Sequence, residues 1–397
     1  MKILVINAGS SSLKYQLFDM DNGTVLAKGL CECIGTGGSI THKKTGDEPY
    51  KQDIPFPTHD EALEAVLAVL TDEVHGVVAD ISEIDAVGHR IAHGGEKCKK
   101  STLIDEETIN YIESIVPINP LHGPPALKGI RGCMRLMSTT PQVGVFDTSF
   151  YGEIPDYAYI YPLPYELYEQ YQIRRYGFHG TSHRYVAGKV AELMGRPIEE
   201  LKIVTCHLGN GSSITAVDHG KAIDTTMGFT PQEGVMMGTR SGTIDPTVVT
   251  YLINSVGMSG KEVEDILNRK SGLLGVSGIS NDARDVTKAA NEGNYRAQLA
   301  LKILAHGIKK FIGSYIAEMN GIDALVFTAG LGENDIALRE RVCADMDFFG
   351  ISIDTEKNNV RSEVRNISAP DARVQTFIIP TDEEYMIAKD TMALVSR

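Results

Sequence analysis

Four apolar residues, Ile3 to Ile6, lead into a run of small and polar ones, Asn7-Ala8-Gly9-Ser10-Ser11-Ser12. After Leu13 and Lys14 a second apolar run spans Tyr15 to Phe18. This pattern predicts strand, tight turn, strand. It recurs downstream as KIVTCHLGNGSSITAV, residues 202–217. A shift of 200 positions sets Lys2 on Lys202, Ile3 on Ile203, Gly9 on Gly209 and Ser12 on Ser212, with Asn7 on His207 and Lys14 on Ile214. So long a period does not describe a solenoid. It predicts two related domains, each opening on a strand–turn–strand unit.

The rest of the pattern alternates strands and helices. Leu63, Val66, Leu67 and Leu70 share a helical face and predict a helix over 60–78, capped by Asp60. A strand over 84–87 runs into Gly88-His89-Arg90-Ile91-Ala92-His93-Gly94-Gly95. A second helix is predicted over 105–116, and the proline-rich loop 117–125 opens another near Ala126. A strand over 143–146 ends on Asp147. Between Tyr151 and Tyr176 lie eight of the sixteen tyrosines, with Pro155, Pro162 and Pro164 among them. That composition reads as a domain junction or contact surface rather than a regular element. Helices are predicted over 184–194, 246–256, 260–269 and 284–319. A strand over 324–327 enters Thr328-Ala329-Gly330-Leu331-Gly332-Glu333-Asn334. A last strand over 376–379 precedes a terminal helix, where Thr381 and Glu384 have capping-box spacing. Three strand-to-glycine turns stand out: 7–14, 207–213 and 328–334.

Composition narrows the function. A chain of 397 residues is too long for one simple core. A net charge of −14 argues against a nucleic-acid surface but leaves room for a local basic pocket, such as Arg90 with Lys97, Lys99 and Lys100. The six cysteines form no CxxC pair and have no zinc spacing, so Cys31 and Cys33 read as structural. The first apolar run breaks at Asn7, too early for a signal peptide, and no run is long enough for a membrane span. A reduced, cytoplasmic chain is expected, with neither nucleic-acid nor membrane partners.

The turn at 7–14 combines small residues, hydroxyls and one cation, a set suited to phosphate. Alone it reads equally as an ordinary hairpin. With its copy it predicts two turns able to hold a polyphosphate. The usual nucleotide motifs are missing: there is no GxxxxGK[ST] and no GxGxxG after a strand.

In order and spacing, VINAGSSSLKY, GHRIAHGG, INPLHGPP, VFDTSF, YGFHGTSH, HLGNGSS, GTRSGTIDP, FTAGLGEN and PTDEE resemble the acetate kinase (acetokinase) family. The resemblance runs from residue 3 to the C-terminus. It implies an α/β fold, the duplicated two-domain actin-like ATPase fold, with mixed sheets flanked by helices and an active-site cleft. The first domain would cover 1–150, with a terminal helix at about 382–397 packing back on it. The second, at 151–381, would bind nucleotide and dimerise. It further implies reversible transfer of the ATP γ-phosphoryl to acetate, with Mg²⁺ or else Mn²⁺, giving acetyl phosphate and ADP, in a homodimer.

Residue by residue, the resemblance assigns metal contacts to Asn7 and Glu383, and the first phosphate loop to Ser12 and Lys14. His207, Leu208, Gly209, Asn210 and Gly211 match the second loop. Asp282, Ala283 and Arg284 match the nucleoside pocket, as do Gly330, Leu331, Gly332, Glu333 and Asn334. Arg90 and Arg240 match the family's arginine pair, His122 and His179 its histidines, and Asp147 its catalytic aspartate. Two arginines and a histidine suit a phosphoryl group in flight, whose charge spreads over three oxygens. The attacking carboxylate, with a pKa of about 4.3, is already ionised and needs no general base. Asp147 is therefore expected to act on the metal shell or to orient Arg90. Lys14, opposite Ile214 in the copy, is expected to attend the terminal phosphates.

His89, His93 and His183 read as structural, Glu384 as a helix-cap residue, and Arg174 and Arg175 as surface or interface charges. Two rival readings remain at this point. One is a propionate or butyrate kinase, which shares every motif. The other is an actin- or chaperone-like ATPase, which needs the phosphate loops but not Arg90, Arg240, His122 and His179 together.

Overall fold

The structure, a computed structural model, describes residues 1–396. Its chain divides into two units, Met1–Gly152 with Asp382–Arg397, and Glu153–Thr381.

The first unit is built on β1 (Lys2–Ala8). Its apolar run is buried on both faces, as the unbroken Ile3-Leu4-Val5-Ile6 requires. On one side β1 pairs antiparallel with β2 (Leu13–Asp19), followed outward by β3 (Thr24–Glu32), β4 (Ser39–Lys44) and β5 (Tyr50–Asp53). On the other side it pairs parallel with β6 (Ala86–Ile91). Beyond β6 lies β8 (Gln142–Phe146), edged by β7 (Thr102–Leu103). Leu4 and Ile6 pack with Leu63 and Val66 of helix His59–Leu70. Ile3 and Val5 pack with Val143, Val145 and the terminal helix Glu383–Val395, through Ile387 and Ala388. Gly88 lets that helix lie close: a Cβ there would stand 2.4 Å from Thr391 Oγ1 and 2.8 Å from Ile387 Cγ2.

The second unit repeats this plan. β9 (Lys202–Leu208) pairs antiparallel with β10 (Ser212–Asp218), and β11 (Lys221–Thr225) follows. On its other side β9 pairs parallel with β12 (Ala324–Thr328), then comes β14 (Gln375–Ile378), edged by β13 (Arg365–Asn366). The order β11-β10-β9-β12-β14 therefore reproduces β3-β2-β1-β6-β8. This is the duplicated actin-like architecture, two mixed sheets flanked by helices.

The duplication is not in register throughout. Asn7 pairs with Lys14, but His207 pairs with Ser213. The first turn spends four residues between its strands and the second spends three, Gly9–Ser12 against Gly209–Gly211. Lys14 therefore corresponds to Ser213, not to Ile214.

Other boundaries differ from the sequence pattern for local reasons. Helix 59–70 is capped by Thr58, which forms a capping box with Glu61, so Asp60 lies inside it. It stops at Leu70 because Asp72 Oδ1 accepts from the amides of Val74 and His75. The segment 284–319 is two helices, Ala283–Asn291 and Tyr295–Glu318. They are parted at Gly293, which turns with φ +93°, and Asn294 caps the second. Residues 329–334 are a short helix, not a loop. The terminal helix is capped by Asp382, whose carboxylate accepts from the Tyr385 amide, so neither Thr381 nor Glu384 caps it. The tyrosine-rich stretch holds two short helices, Asp156–Tyr159 and Tyr165–Tyr171. Arg174 is buried, stacked 3.5 Å over the Tyr159 ring, and Arg175 bonds the Glu233 carboxylate at 3.1 Å, so neither is a surface charge.

All six cysteines are free thiols and five are buried; Cys33 is exposed. Among the described residues no helix is long and apolar enough to cross a membrane.

Candidate active site

In the first unit the parallel strands deliver their residues to one face. Ile3, Val5, Gly88 and Val145 all point toward the terminal helix, so strand alternation puts Asn7, Arg90 and Asp147 on that side too. All three sit at the carboxyl ends of β1, β6 and β8, where ligands bind in α/β sheets. The first turn of the terminal helix adds Glu383. Lys14, paired with Asn7, is exposed on the same face.

Arg90 is held at both edges. Its Nε and Nη2 donate to Asp147 Oδ1 and Oδ2 at 3.1 and 2.9 Å, and Nη2 lies 3.3 Å from Glu383 Oε2. Asp147 raises the Arg90 pKa first of all, against the opposing effect of burial. The pair is bidentate, the strongest geometry for guanidinium and carboxylate. Arg90 keeps 28% of its side chain exposed while Asp147 keeps 4%, so the free edge of the guanidinium is available and the carboxylate is not.

Glu383 is different. Burial pushes its carboxyl up to about 7, with Arg90 opposing and Asp147 and Glu384 reinforcing. Its Oε2 is buried and accepts no hydrogen bond despite the nearby guanidinium. Three carboxylates thus share one arginine. An added cation fits this imbalance, and the donors beside it, a carboxylate and the Asn7 amide, are the hard oxygen ligands that Mg²⁺ accepts alongside phosphates and water. His122 is the N-cap residue of helix Gly123–Leu136 and is exposed.

In the second unit helix Gly180–Met194 lies over the face of β9 that carries Thr205 and His207. His179 caps it in a left-handed conformation, φ 58°, a backbone state rarely held without a purpose in a non-glycine residue. Its ring stacks on His207 with centroids 4.1 Å apart. His179 Nδ1 meets Ser213 Oγ at 2.9 Å, and His207 Nδ1 meets Ser182 Oγ at 2.8 Å. Ser182 Oγ also meets Thr381 Oγ1 at 2.8 Å.

Gly211 adjoins this pair. A Cβ there would lie 3.5 Å from both His179 Nε2 and Arg240 Nη1, so the imidazole and the guanidinium border the same small space. Arg240 bonds the Pro231 carbonyl at 3.0 Å, and among the described residues no carboxylate pairs with it. Burial lowers its pKa. A cation kept in such a place is a standing site for an anion.

The preceding residues of the same turn, Gly209 and Asn210, line a cavity of about 880 Å³. Asp282, Ala283, Arg284, Gly330, Leu331 and Asn334 line it too. Asp282 caps helix 283–291 and binds the exposed Arg284. Gly332 and Glu333 face elsewhere: the Gly332 carbonyl accepts from Arg339, and the Glu333 carboxylate accepts from the Thr381 amide. In a helix only one side of 329–334 can reach the cavity. The motifs did not point to Leu273, Asn281, Thr287, Ile336 or Arg361, which also line it, and Gly238 lines it from the start of GTRSGTIDP. His89 and His183 are buried, as structural histidines would be. His183, though, bridges Ser213 and Thr205 directly behind His179.

Four similarities bear on this arrangement. The profile of the Acetokinase family matches residues 2–389. An acetate kinase of Caldanaerobacter subterraneus subsp. tengcongensis is 58% identical over 397 residues, covering 100% of this chain and 99% of that protein. Among solved structures, Porphyromonas gingivalis acetate kinase matches with a TM-score of 0.95 at 46% identity, and a Francisella tularensis propionate kinase with 0.91 at 39%. Each covers 99% of both chains.

Proposed function

The chain belongs to the acetokinase family, and we infer that it transfers the γ-phosphoryl group of ATP reversibly to acetate, giving acetyl phosphate and ADP. One observation in its own geometry supports this most. A cavity of nucleoside size continues, along the turn 209–211, to an unpaired guanidinium and an imidazole. That is a base-and-sugar pocket ending in an anion site. A carboxylate oxygen of acetate attacks the γ-phosphorus, the new O–P bond forms as the bond to the bridging oxygen of ADP breaks, and no proton need move.

The family uses ATP or ADP with a divalent metal. We assign Mg²⁺, with Asn7 and Glu383 as its protein contacts; when bound it neutralises charge on the phosphate oxygens. Lys14 and Ser12 attend the terminal phosphates. The turn Gly209–Gly211 grips the chain of phosphates, and residues 282–284 with 330, 331 and 334 hold the nucleoside. Arg90, fixed by Asp147, offers its free edge to the substrate carboxylate, with His122 beside the same substrate. His179 and Arg240 donate to the oxygens of the transferring group.

We also propose a homodimer through the second unit. Helix Pro246–Asn254 is strongly apolar yet buries none of its residues, and Val248, Tyr251 and Ile253 are 43%, 60% and 36% exposed. An uncovered apolar helix of this kind needs a partner surface. Tyr251→Glu should shift sedimentation from dimer to monomer.

Trapping acyl phosphate as hydroxamate tests the reaction. With MgATP and hydroxylamine, acetate should give product faster than propionate or butyrate. The likeness to a propionate kinase gives that comparison its point, since one methylene discriminates by only about 1–3 kcal/mol. A faster rate with propionate would move the acyl assignment. No hydroxamate from any of the three would overturn the kinase reading.

A further inference from the structure

Behind His179 runs a chain of hydrogen bonds: Thr205 Oγ1 to His183 Nδ1 at 2.6 Å, His183 Nε2 to Ser213 Oγ at 2.7 Å, and Ser213 Oγ to His179 Nδ1 at 2.9 Å. Every link ahead of His179 is buried: Thr205, His183 and Ser213 are each 0% exposed. We propose that Thr205, His183 and Ser213 are positioning residues that hold His179 neutral, with its proton on Nε2, as a fixed donor to the transferring phosphoryl group. The proposal rests on the kinase reading for the donor's target, but the protonation state it assigns stands apart from activity.

The direction of the chain follows from counting protons. A neutral imidazole donates through one nitrogen and accepts through the other, and a hydroxyl has one proton to give. Ser213 lies between two imidazoles; accepting from both would leave its own buried proton without an acceptor, so it accepts from one and donates to the other. Thr205 decides which. Among the described residues its hydroxyl has one hydrogen-bonding partner, His183 Nδ1. If His183 donated there, the Thr205 proton would be buried with no acceptor, which costs its full desolvation. So Thr205 donates to His183 Nδ1, His183 Nε2–H donates to Ser213, and Ser213 donates to His179 Nδ1. The His179 proton is left on Nε2, the atom that borders Gly211 across from Arg240.

The same chain resists ionisation of His179. Protonating Nδ1 strands one buried hydroxyl proton either way: that of Ser213 if it accepts from both rings, or that of Thr205 if Ser213 turns toward His183 and the His183 proton moves to Nδ1. The groups facing His179 oppose the charge as well: the Arg240 guanidinium across Gly211, the stacked His207 ring, and His183 behind Ser213. His183 itself is kept neutral by burial and by His207. A neutral donor suits the site because Arg240 already supplies the positive charge. A histidinium would instead release its proton and change state within the physiological range.

The test reads protonation directly. In substrate-free enzyme labelled with ¹⁵N-histidine, the His179 ring nitrogens are followed from about pH 5 to 9 by long-range ¹H–¹⁵N spectra, assigned with His179→Asn. Wild-type His179 should show the Nε2–H tautomer and remain neutral below the ordinary midpoint. Ser213→Ala should raise its midpoint toward about 6.5 by half a unit or more. Thr205→Val, which removes only the hydroxyl, should shift it in the same direction, and Thr205→Ser should restore the wild-type titration. The acid limb of kcat/KM should move with these midpoints. A wild-type His179 protonated on Nδ1 would overturn the proposal. So would a midpoint unmoved by both Ser213→Ala and Thr205→Val. Should Ser213→Ala fail to fold, the Thr205 pair decides alone. Loss of hydroxamate formation with an intact Nε2–H tautomer would count against the kinase reading instead.

Discussion

Replacing Arg240 with alanine is expected to lower kcat for acetyl phosphate formation by about 10³-fold or more while leaving the fold as stable as before. The two halves of that expectation have one cause. The guanidinium donates to the Pro231 carbonyl but pairs with no carboxylate among the described residues, and burial lowers its pKa. Its charge is therefore a cost in the empty protein and a gain only when an anion arrives. The backbone around it is held by other bonds, from the Met237 amide to the Arg240 carbonyl at 3.1 Å and from the Ser271 amide to the Thr239 carbonyl at 2.9 Å. Removing the side chain should thus keep the thermal midpoint level or raise it, as happens at sites that trade stability for activity. Arg240→Lys should recover little, because a point charge cannot reproduce the planar fork. The measurement is paired: steady-state hydroxamate formation and a thermal melt on the same preparations. A kcat within roughly tenfold of wild type, or a large drop in midpoint, would show that Arg240 is a structural arginine.

Much of this arrangement was legible in the chain. The apolar run Ile3–Ile6 has no polar alternation, which marks a strand buried on both faces, and the residues that follow it are where α/β sheets put ligands. Strand alternation alone would set Asn7, Arg90 and Asp147 on one face once the strands are known to be neighbours. Their being neighbours is a long-range fact, and no local pattern encodes it. Gly88 carries the signal only in retrospect, since its missing Cβ matters because Thr391 and Ile387 come from the far end of the chain.

What the sequence hid has physical reasons too. The serines of GSSSL and GNGSS align by eye, yet a one-residue shorter turn moves the return strand, so Ser213 rather than Ile214 stands where Lys14 stands. Composition is blind to that slip, while strand pairing is not. The helix at 329–334 divides residues that a loop would present together, which is why Gly330, Leu331 and Asn334 line the cavity and Gly332 and Glu333 do not. His183 looked structural because it lacked the motif support that His122 and His179 had. Its place four residues after His179, where its amide bonds the carbonyl of that cap residue, was the available sign that the two act together.

The first unit offers the opposite case to Arg240. Arg90→Ala should both abolish most activity and destabilise the protein by about 3–5 kcal/mol, because it leaves Asp147 and Glu383 buried without their cation. The pH dependence follows from the sign of the change. In the variant Glu383 holds its proton more tightly when folded than when unfolded, so its folded pKa lies above the unfolded one, as it already does at about 7 in the wild type. Below the unfolded carboxylate pKa, about 4, the group is neutral in both states and that cost disappears. As pH rises toward 7 the unfolded state ionises first, so the urea midpoint of Arg90→Ala should fall steadily relative to wild type. Asp147→Asn separates positioning from chemistry. It keeps the shape but removes the charge that fixes the guanidinium plane, and should lower kcat by about 10²-fold, since misplacing a clamp by an ångström costs on that order. If Asp147 acts only through Arg90, the double variant Arg90→Ala/Asp147→Asn should be no slower than Arg90→Ala alone. It should also be more stable, having one fewer stranded carboxylate. Additive losses in kcat would mean that Asp147 touches the reacting groups itself.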